Sequence, residues 1–215
     1  MDIIAQLIQF DKELLILING FHTPYFDVFM YTFSKVGVWI PFYASVLYIL
    51  FKKVGIKAIW LTLLLILGVV LCDQLTVLMK ESIQRFRPSH DPNLEYIIHL
   101  VKNKRAGLYG FVSSHAANTV GFALLSSLII RRRNYSIAVF SWAAITCYSR
   151  MYLGMHFPFD IIGGAITGFL IAIVLYAIKK WYLNKHTRAT YDNEMIPVYT
   201  LISTTLAIAI FSFFG

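Results

Sequence analysis

The chain has 215 residues, with 19 Lys and Arg against 11 Asp and Glu and a formal charge of +8. Apolar residues make up 58% and charged residues 14%, whereas soluble domains carry about 25% charged residues. These proportions exclude an ordinary water-facing surface, disorder, coiled coil and collagen; the two cysteines, Cys72 and Cys147, lie in apolar runs and exclude a disulfide scaffold or a Cys-rich metal site.

In chain order, Ile3, Ile4, Leu7, Ile8, Phe10, Leu14, Leu15 and Ile18 recur near helical spacing and are interrupted by Asp11, Lys12 and Glu13. That pattern predicts an amphipathic helix lying on a membrane, with packing of the same helix on the bundle as the alternative. Asp2 and the lack of a basic start or small-residue cleavage site disfavour a signal peptide. Uncharged runs follow at 36–51, 116–130, 134–149, 161–178 and 196–214; the run 56–79 holds only Lys57 and Asp73. A span needs about 20 largely apolar residues, so the first run is extended back to about Phe26, with a kink expected at Pro41. Strand alternation is absent, which argues against a membrane barrel. The predicted fold is all-α: an integral membrane bundle of about six transmembrane helices with an N-terminal amphipathic interfacial helix. One domain covers 1–215, with the interfacial helix at 1–20, spans one and two at 26–80, an outer loop at 81–112, spans three to five at 113–182 and span six at 195–214.

Short loops set the orientation. Lys52, Lys53 and Lys57 join spans one and two, Arg131, Arg132 and Arg133 join three and four, and Lys179, Lys180, Lys185 and Arg188 join five and six. All three fall on one side, which is read as cytoplasmic. The opposite side is basic too, with Lys80, Arg85, Arg87, Lys102, Lys104 and Arg105. A basic cluster on that side points to an anionic ligand.

Three stretches there carry chemistry. In the first, Lys80 and Arg87 are two helical turns apart on one face, and Pro88 follows. Two converging cations suit a phosphate; snorkelling to the interface is the plain alternative. In the second, Ser113 or Ser114 is a natural N-cap before His115, and the free N–H groups of a helix start attract an anion. In the third, Ser149 and Arg150 precede His156 and Asp160. Four residues apart, the carboxylate can bind one imidazole nitrogen and leave the other free as a nucleophile. Pro158 places the helix start around His156–Phe157.

Together the three stretches resemble the type-2 phosphatidic acid phosphatase family, which shares its signature with vanadium haloperoxidases. The family pattern is Lys-x6-Arg-Pro, then Pro-Ser-Gly-His, then Ser-Arg-x5-His-x3-Asp. The first and third are complete here; in the second, Val112 stands for Pro and Ser114 for Gly. The resemblance spans Lys80 to Asp160. It implies that His156 attacks phosphorus and forms a phosphohistidine, that Asp160 orients His156, and that His115 protonates the leaving oxygen and then helps activate water. It also implies that Lys80, Arg87, Ser113, Arg150 and the Ser114 N–H cradle the phosphoryl oxygens. Three fixed cations can do the work of a metal, so no metal and no cofactor are expected. A His/Asp metal site at His115, His156 and Asp160 is the competing reading, and the cations beside it would repel a metal.

The expected function is a lipid phosphatase of a bacterial inner membrane, multi-pass, with its site facing the periplasm or outside. Its partners are a lipid phosphate substrate and membrane lipids, not nucleic acid. The reading leans to undecaprenyl pyrophosphate, with lipid A, phosphatidylglycerol phosphate, phosphatidic acid or lipid-to-lipid phosphotransfer as alternatives. A transporter for anionic lipid is the reading from another class, but no internal repeat relates the two halves. Asp73 is read as a structural partner of Lys80 or Arg87, and Gly164 and Gly168 as a close helix contact. Lys102, Lys104 and Arg105 face lipid headgroups, a second phosphate or solvent. His22, His90, His99 and His186 are assigned no role.

Overall fold

The computed structural model describes residues 3–183 and 195–214; Lys185, His186 and Arg188 lie outside the described residues. The described residues contain eight α-helices: α1 Ile3–Gly20, α2 Pro24–Phe33, α3 Ile40–Val54, α4 Ala58–Ile83, α5 Ser114–Ile130, α6 Arg133–Tyr152, α7 Pro158–Leu183 and α8 Met195–Phe211. No strand forms among them; one antiparallel bridge, Phe86 to Tyr109, pins the loop after α4. α4 and α7 have 26 residues each, or about 39 Å of helix at 1.5 Å per residue, enough to cross the ~30 Å hydrocarbon core of a bilayer.

Helix ends follow local chemistry. Thr23 caps α2 by accepting the Phe26 N–H at 3.3 Å, with Pro24 in the first turn. Gln84 and Arg131 close α4 and α5 in the left-handed region, and their N–H groups return to Lys80 and Ser127 carbonyls.

The expected first span is not one helix kinked at Pro41. The chain breaks at Ser34–Lys35, between α2 and α3. Ser34 closes α2 by donating its N–H to the Met30 carbonyl and its hydroxyl to the Tyr31 carbonyl, and Lys35 is extended. The Trp39 indole N–H then reaches the Phe33 carbonyl at 2.8 Å, satisfying another open acceptor of the helix end. Pro41 sits in the first turn of α3, where its missing N–H costs nothing.

α1 turns out with its polar side inward. Asp11, Leu15 and Asn19, spaced four apart, are its buried residues, whereas Ile3, Ile4, Leu7, Ile8 and Phe10 are exposed. Asn19 donates to the carbonyls of Tyr152 and His99 at 2.7 and 3.0 Å and accepts the His99 N–H at 2.8 Å. His99 also has Asp27 at 2.8 Å and stacks on His22, so it ties α1, α2 and the loop between α4 and α5 together.

α5 and α7 form the closest pair. A Cβ on Gly164 would strike the Ser113 carbonyl, and one on Gly168 would strike the Ala117 carbonyl. The glycines let two backbones touch, as the small-residue spacing implies. Gly168→Val is expected to cost about 3 kcal/mol, read as a lowered thermal midpoint in detergent, since the atoms it meets are backbone and cannot turn away. Retention of the wild-type midpoint would show that the pair can open.

Helix direction alternates along the chain. α4 and α6 end, and α5 and α7 begin, at one end of the bundle. The basic residues Lys52, Lys53, Lys57 and Arg131 to Arg133 lie at the opposite ends of these helices.

Candidate active site

The shared end of α4, α5, α6 and α7 gathers the residues singled out in the sequence. His156 sits just before α7 and is 1% exposed. Arg87 Nη1 lies 2.8 Å from His156 Nε2. A guanidinium only donates, so Nε2 is the acceptor and the ring proton is on Nδ1. Nδ1 faces Asp160 Oδ2 at 3.4 Å, a long contact of the kind that tightens when substrate binds. This tautomer leaves the Nε2 lone pair unprotonated. Burial, with Arg87, Arg150 and Lys80 adding their charge, pushes the His156 pKa well below its ordinary value, so this nitrogen stays unprotonated at neutral pH.

Arg87 is held by two backbone acceptors, Tyr109 and Met155 carbonyls, both at 3.0 Å. Its strand-like loop is fixed by bonds between Arg87 and Leu108 and between Gly110 and Arg85. A Cβ at Gly110 would lie 2.9 Å from Asp160 Oδ2 and 3.1 Å from Arg87 Cγ, so glycine is what lets this loop lie against the carboxylate.

Ser113 caps α5 by accepting the Ala116 N–H at 3.4 Å, and its own N–H donates to the Asp160 carbonyl at 2.9 Å. Its O–H remains free to donate. Ser114 does more than supply an N–H. Lys80 Nζ donates to its hydroxyl oxygen. Thr76 spends its proton on the Asp73 carbonyl at 2.9 Å, so Ser114 donates to Thr76 at 2.7 Å. The residue that replaces the family glycine thus anchors the site lysine.

Asp73 does not pair with Lys80. Among the described residues its carboxylate makes no ion pair, although its charge reaches Lys80. Ser114 takes the lysine instead, because the two side chains meet where α4 and α5 converge.

His115 and Arg150 line a cavity of about 300 Å3 of mixed character, with Tyr31, Ser34, Lys35 and Lys104 on its polar walls and Ala106, Leu153 and Met155 among its apolar ones. Arg150 Nε is buried with no hydrogen-bond partner, an open donor in the wall. His115 and Val36 also line a second, apolar cavity of about 360 Å3 between α3, α4 and α5, whose walls include Tyr43, Leu65, Val69 and Phe122. The mixed chamber and the apolar one therefore meet at His115. Among the described residues no three His, Cys, Asp or Glu side chains converge as a metal site.

Two residues at the site escaped the sequence reading. Arg85 Nη1 donates to Asp160 Oδ1 at 3.0 Å and Nη2 to Asp11 Oδ2 at 2.6 Å, with the guanidinium 4.3 Å over the Phe157 ring. Asp11 is 0% exposed, and its other oxygen accepts the Phe159 N–H at 2.9 Å. Burial raises the Asp11 pKa, against the pull of Arg85 and the Phe159 N–H. The available signal was an acid sharing a helix face with Leu15 and Asn19, opposite the apolar residues.

Residues 57–184 match the PAP2 superfamily. The chain belongs to the PAP2 superfamily. Within it, a lipid A 4′-phosphatase of Porphyromonas gingivalis is 33% identical over 205 residues, covering 91% of this chain and 87% of that protein. A lipid A 4′-phosphatase of Bacteroides thetaiotaomicron is 38% identical over 165 residues, covering 75% and 73%. The crystal structure of a transmembrane PAP2-type phosphatidylglycerolphosphate phosphatase from Bacillus subtilis superposes with a TM-score of 0.66 at 18% identity, covering 82% of this chain and 88% of that one; it shares the fold. This PAP2 chain is an enzyme, a membrane phosphatase acting on lipid phosphates.

Proposed function

We propose that this PAP2 phosphatase removes the 4′-phosphate of lipid A. The similarity to two lipid A 4′-phosphatases, one across nine-tenths of the chain, carries the reading and moves it away from the undecaprenyl pyrophosphate favoured by the sequence alone. The paired chambers support it: one with polar walls for a phosphorylated sugar, and an apolar one for an acyl chain. The chain acts as one domain of six spans in a bacterial inner membrane, its site on the outer side opposite the basic loops. The exposed apolar side of α1 rests in the lipid interface.

In this mechanism Lys80, Arg87, Arg150, the Ser113 hydroxyl and the Ser114 N–H hold the phosphoryl oxygens. The phosphate displaces Arg87 from His156 Nε2, which attacks phosphorus as the P–O bond to the sugar breaks. His115 gives its proton to the leaving oxygen; the bound phosphate dianion beside it favours the protonated ring. Water then attacks the phosphohistidine, His115 takes its proton, and phosphate leaves. Asp160 holds the Nδ1 proton throughout. The three cations stabilise the transferring group without a metal.

The test is phosphate release by purified protein from lipid A, undecaprenyl pyrophosphate, phosphatidylglycerol phosphate and phosphatidic acid, each with EDTA. The expected result is highest kcat/KM on lipid A, with loss of the 4′-phosphate alone, undiminished by EDTA. A higher kcat/KM on undecaprenyl pyrophosphate would overturn the substrate; strict dependence on added metal would overturn the mechanism.

A further inference from the structure

The basic run Lys102, Lys104 and Arg105 is divided by the fold. Arg105 turns to Glu95, with Nη1 to Oε2 at 3.2 Å. Lys102 and Lys104 turn instead to Tyr31, their ammonium nitrogens 5.1 and 5.6 Å from the ring centroid. Lys35, from the break between α2 and α3, joins them at 4.5 Å. Among the described residues none of these three lysines has a carboxylate partner. A ring face offers an exposed cation only about 0.5–1 kcal/mol, so one tyrosine does not balance three ammonium groups that repel one another.

The cluster opens on the cavity at His115 and Arg150. Tyr31, Lys35 and Lys104 line the same cavity as His115 and Arg150. A ligand that reaches His115 and Arg150 through this cavity passes beside the lysines. A solvated loop face would give no reason for residues about 70 positions apart in the chain to meet on one ring beside this cavity.

From this placement we infer that Lys35, Lys102 and Lys104, arranged around Tyr31, form a second anion subsite that holds a phosphate-class group next to the phosphoryl group being cleaved. The inference rests on the lipid A reading and narrows it. The second group is either another phosphate of the same substrate or the headgroup of a neighbouring anionic lipid.

The test compares the wild type with K35Q/K102Q/K104Q, full-length and in neutral detergent at low salt. The substrates are lipid A carrying both phosphates and lipid A carrying the 4′-phosphate alone. Wild type is expected to favour the bisphosphorylated lipid in kcat/KM by about ten-fold, and the triple variant to lose that preference. Where a neighbouring lipid supplies the anion, the stimulation appears when phosphatidylglycerol is added to the monophosphorylated lipid, again only in wild type. Equal behaviour of the two proteins in both arms overturns the subsite. Failure of the substrate reading looks different: wild type leaves lipid A intact but hydrolyses phosphatidic acid. The two lipids then serve as competitors of that reaction. Competition about ten-fold stronger from the bisphosphorylated lipid in wild type alone upholds the subsite without lipid A as substrate; equal competition overturns both.

Discussion

His156→Ala is expected to lower kcat by about four orders of magnitude or more, whereas the cost of His115→Ala is expected to depend on the leaving group. The difference follows from what each ring does in the proposed mechanism. There His156 Nε2 carries the lone pair that attacks, and Arg87 on Nε2 and Asp160 near Nδ1 hold the ring in place. His115 supplies a proton to an oxygen that would otherwise leave as an alkoxide. A positioned acid contributes about 10²–10⁴-fold, and a leaving group that departs easily as an anion needs little of it. On a sugar phosphate His115→Ala therefore approaches the upper figure, while on an aryl phosphate the first step survives and the water step becomes slow.

Phosphoenzyme then accumulates. Labelled aryl phosphate, quenched in base to preserve phosphohistidine, should leave label on His115→Ala and none on His156→Ala. Label on His156→Ala would place the nucleophile elsewhere. The pH profile adds an independent readout. The depressed His156 pKa means that the free enzyme binds its inactivating proton only well below the usual histidine value of about 6.5. The acid limb of kcat/KM should therefore lie below pH 6.5. In stability terms, the unfolded chain protonates this ring before the folded one does, so stability contributed here is present above about pH 6.5 and falls as the pH drops below it.

Arg85→Ala is expected to be the most damaging change among residues that do not touch the phosphate. It removes a donor from Asp160, and it leaves Asp11 buried without its cation. Breaking such a buried pair from one side costs about 3–5 kcal/mol, and loss of an orienting contact of this kind costs about 10–100-fold in activity. Two effects mixed in one variant are separated by a cycle with Asp11→Asn. Asp11→Asn alone should weaken the docking of α1 while Arg85 keeps its bond to Asp160. In an Asp11→Asn background, Arg85→Gln should cost less stability than it does alone, yet carry most of its loss in kcat. The checks are thermal midpoints, a KM-against-kcat split, and proteolysis near the α1–α2 junction. A kcat for Arg85→Gln equal to wild type would make the residue a strut for α1 and nothing more.

Much of the site was legible because its chemistry is bound to spacing. His156 and Asp160 meet at four residues across the start of α7, as their spacing predicts, but Lys80 and Arg87 do not share the expected helix face: α4 ends at Ile83, Gln84 turns left-handed, and Arg87 reaches the site from the extended loop that follows. Gly164 and Gly168 were readable for a similar reason: only a missing side chain lets α7 lie on α5. What escaped was polar contact made across distance. Asp11 looks like an interruption in an apolar helix until that helix docks with its polar side inward. Ser114 looks like a loss of glycine until Thr76 and Lys80 arrive from α4. Asp73 looks like a partner for Lys80, and the same convergence of α4 and α5 gives the lysine to Ser114.

The sequence by itself determined the solvent, the helical class and the candidate site residues, because hydropathy and short-range spacing act along the chain. Only the tertiary structure decided which cations converge. It sent Arg85 to two buried carboxylates, Arg87 to His156, Arg105 to a glutamate, and Lys35, Lys102 and Lys104 to one tyrosine. Charge carries no address in sequence, and like charges gather only where packed helices hold them against their repulsion or where an anion is to be received.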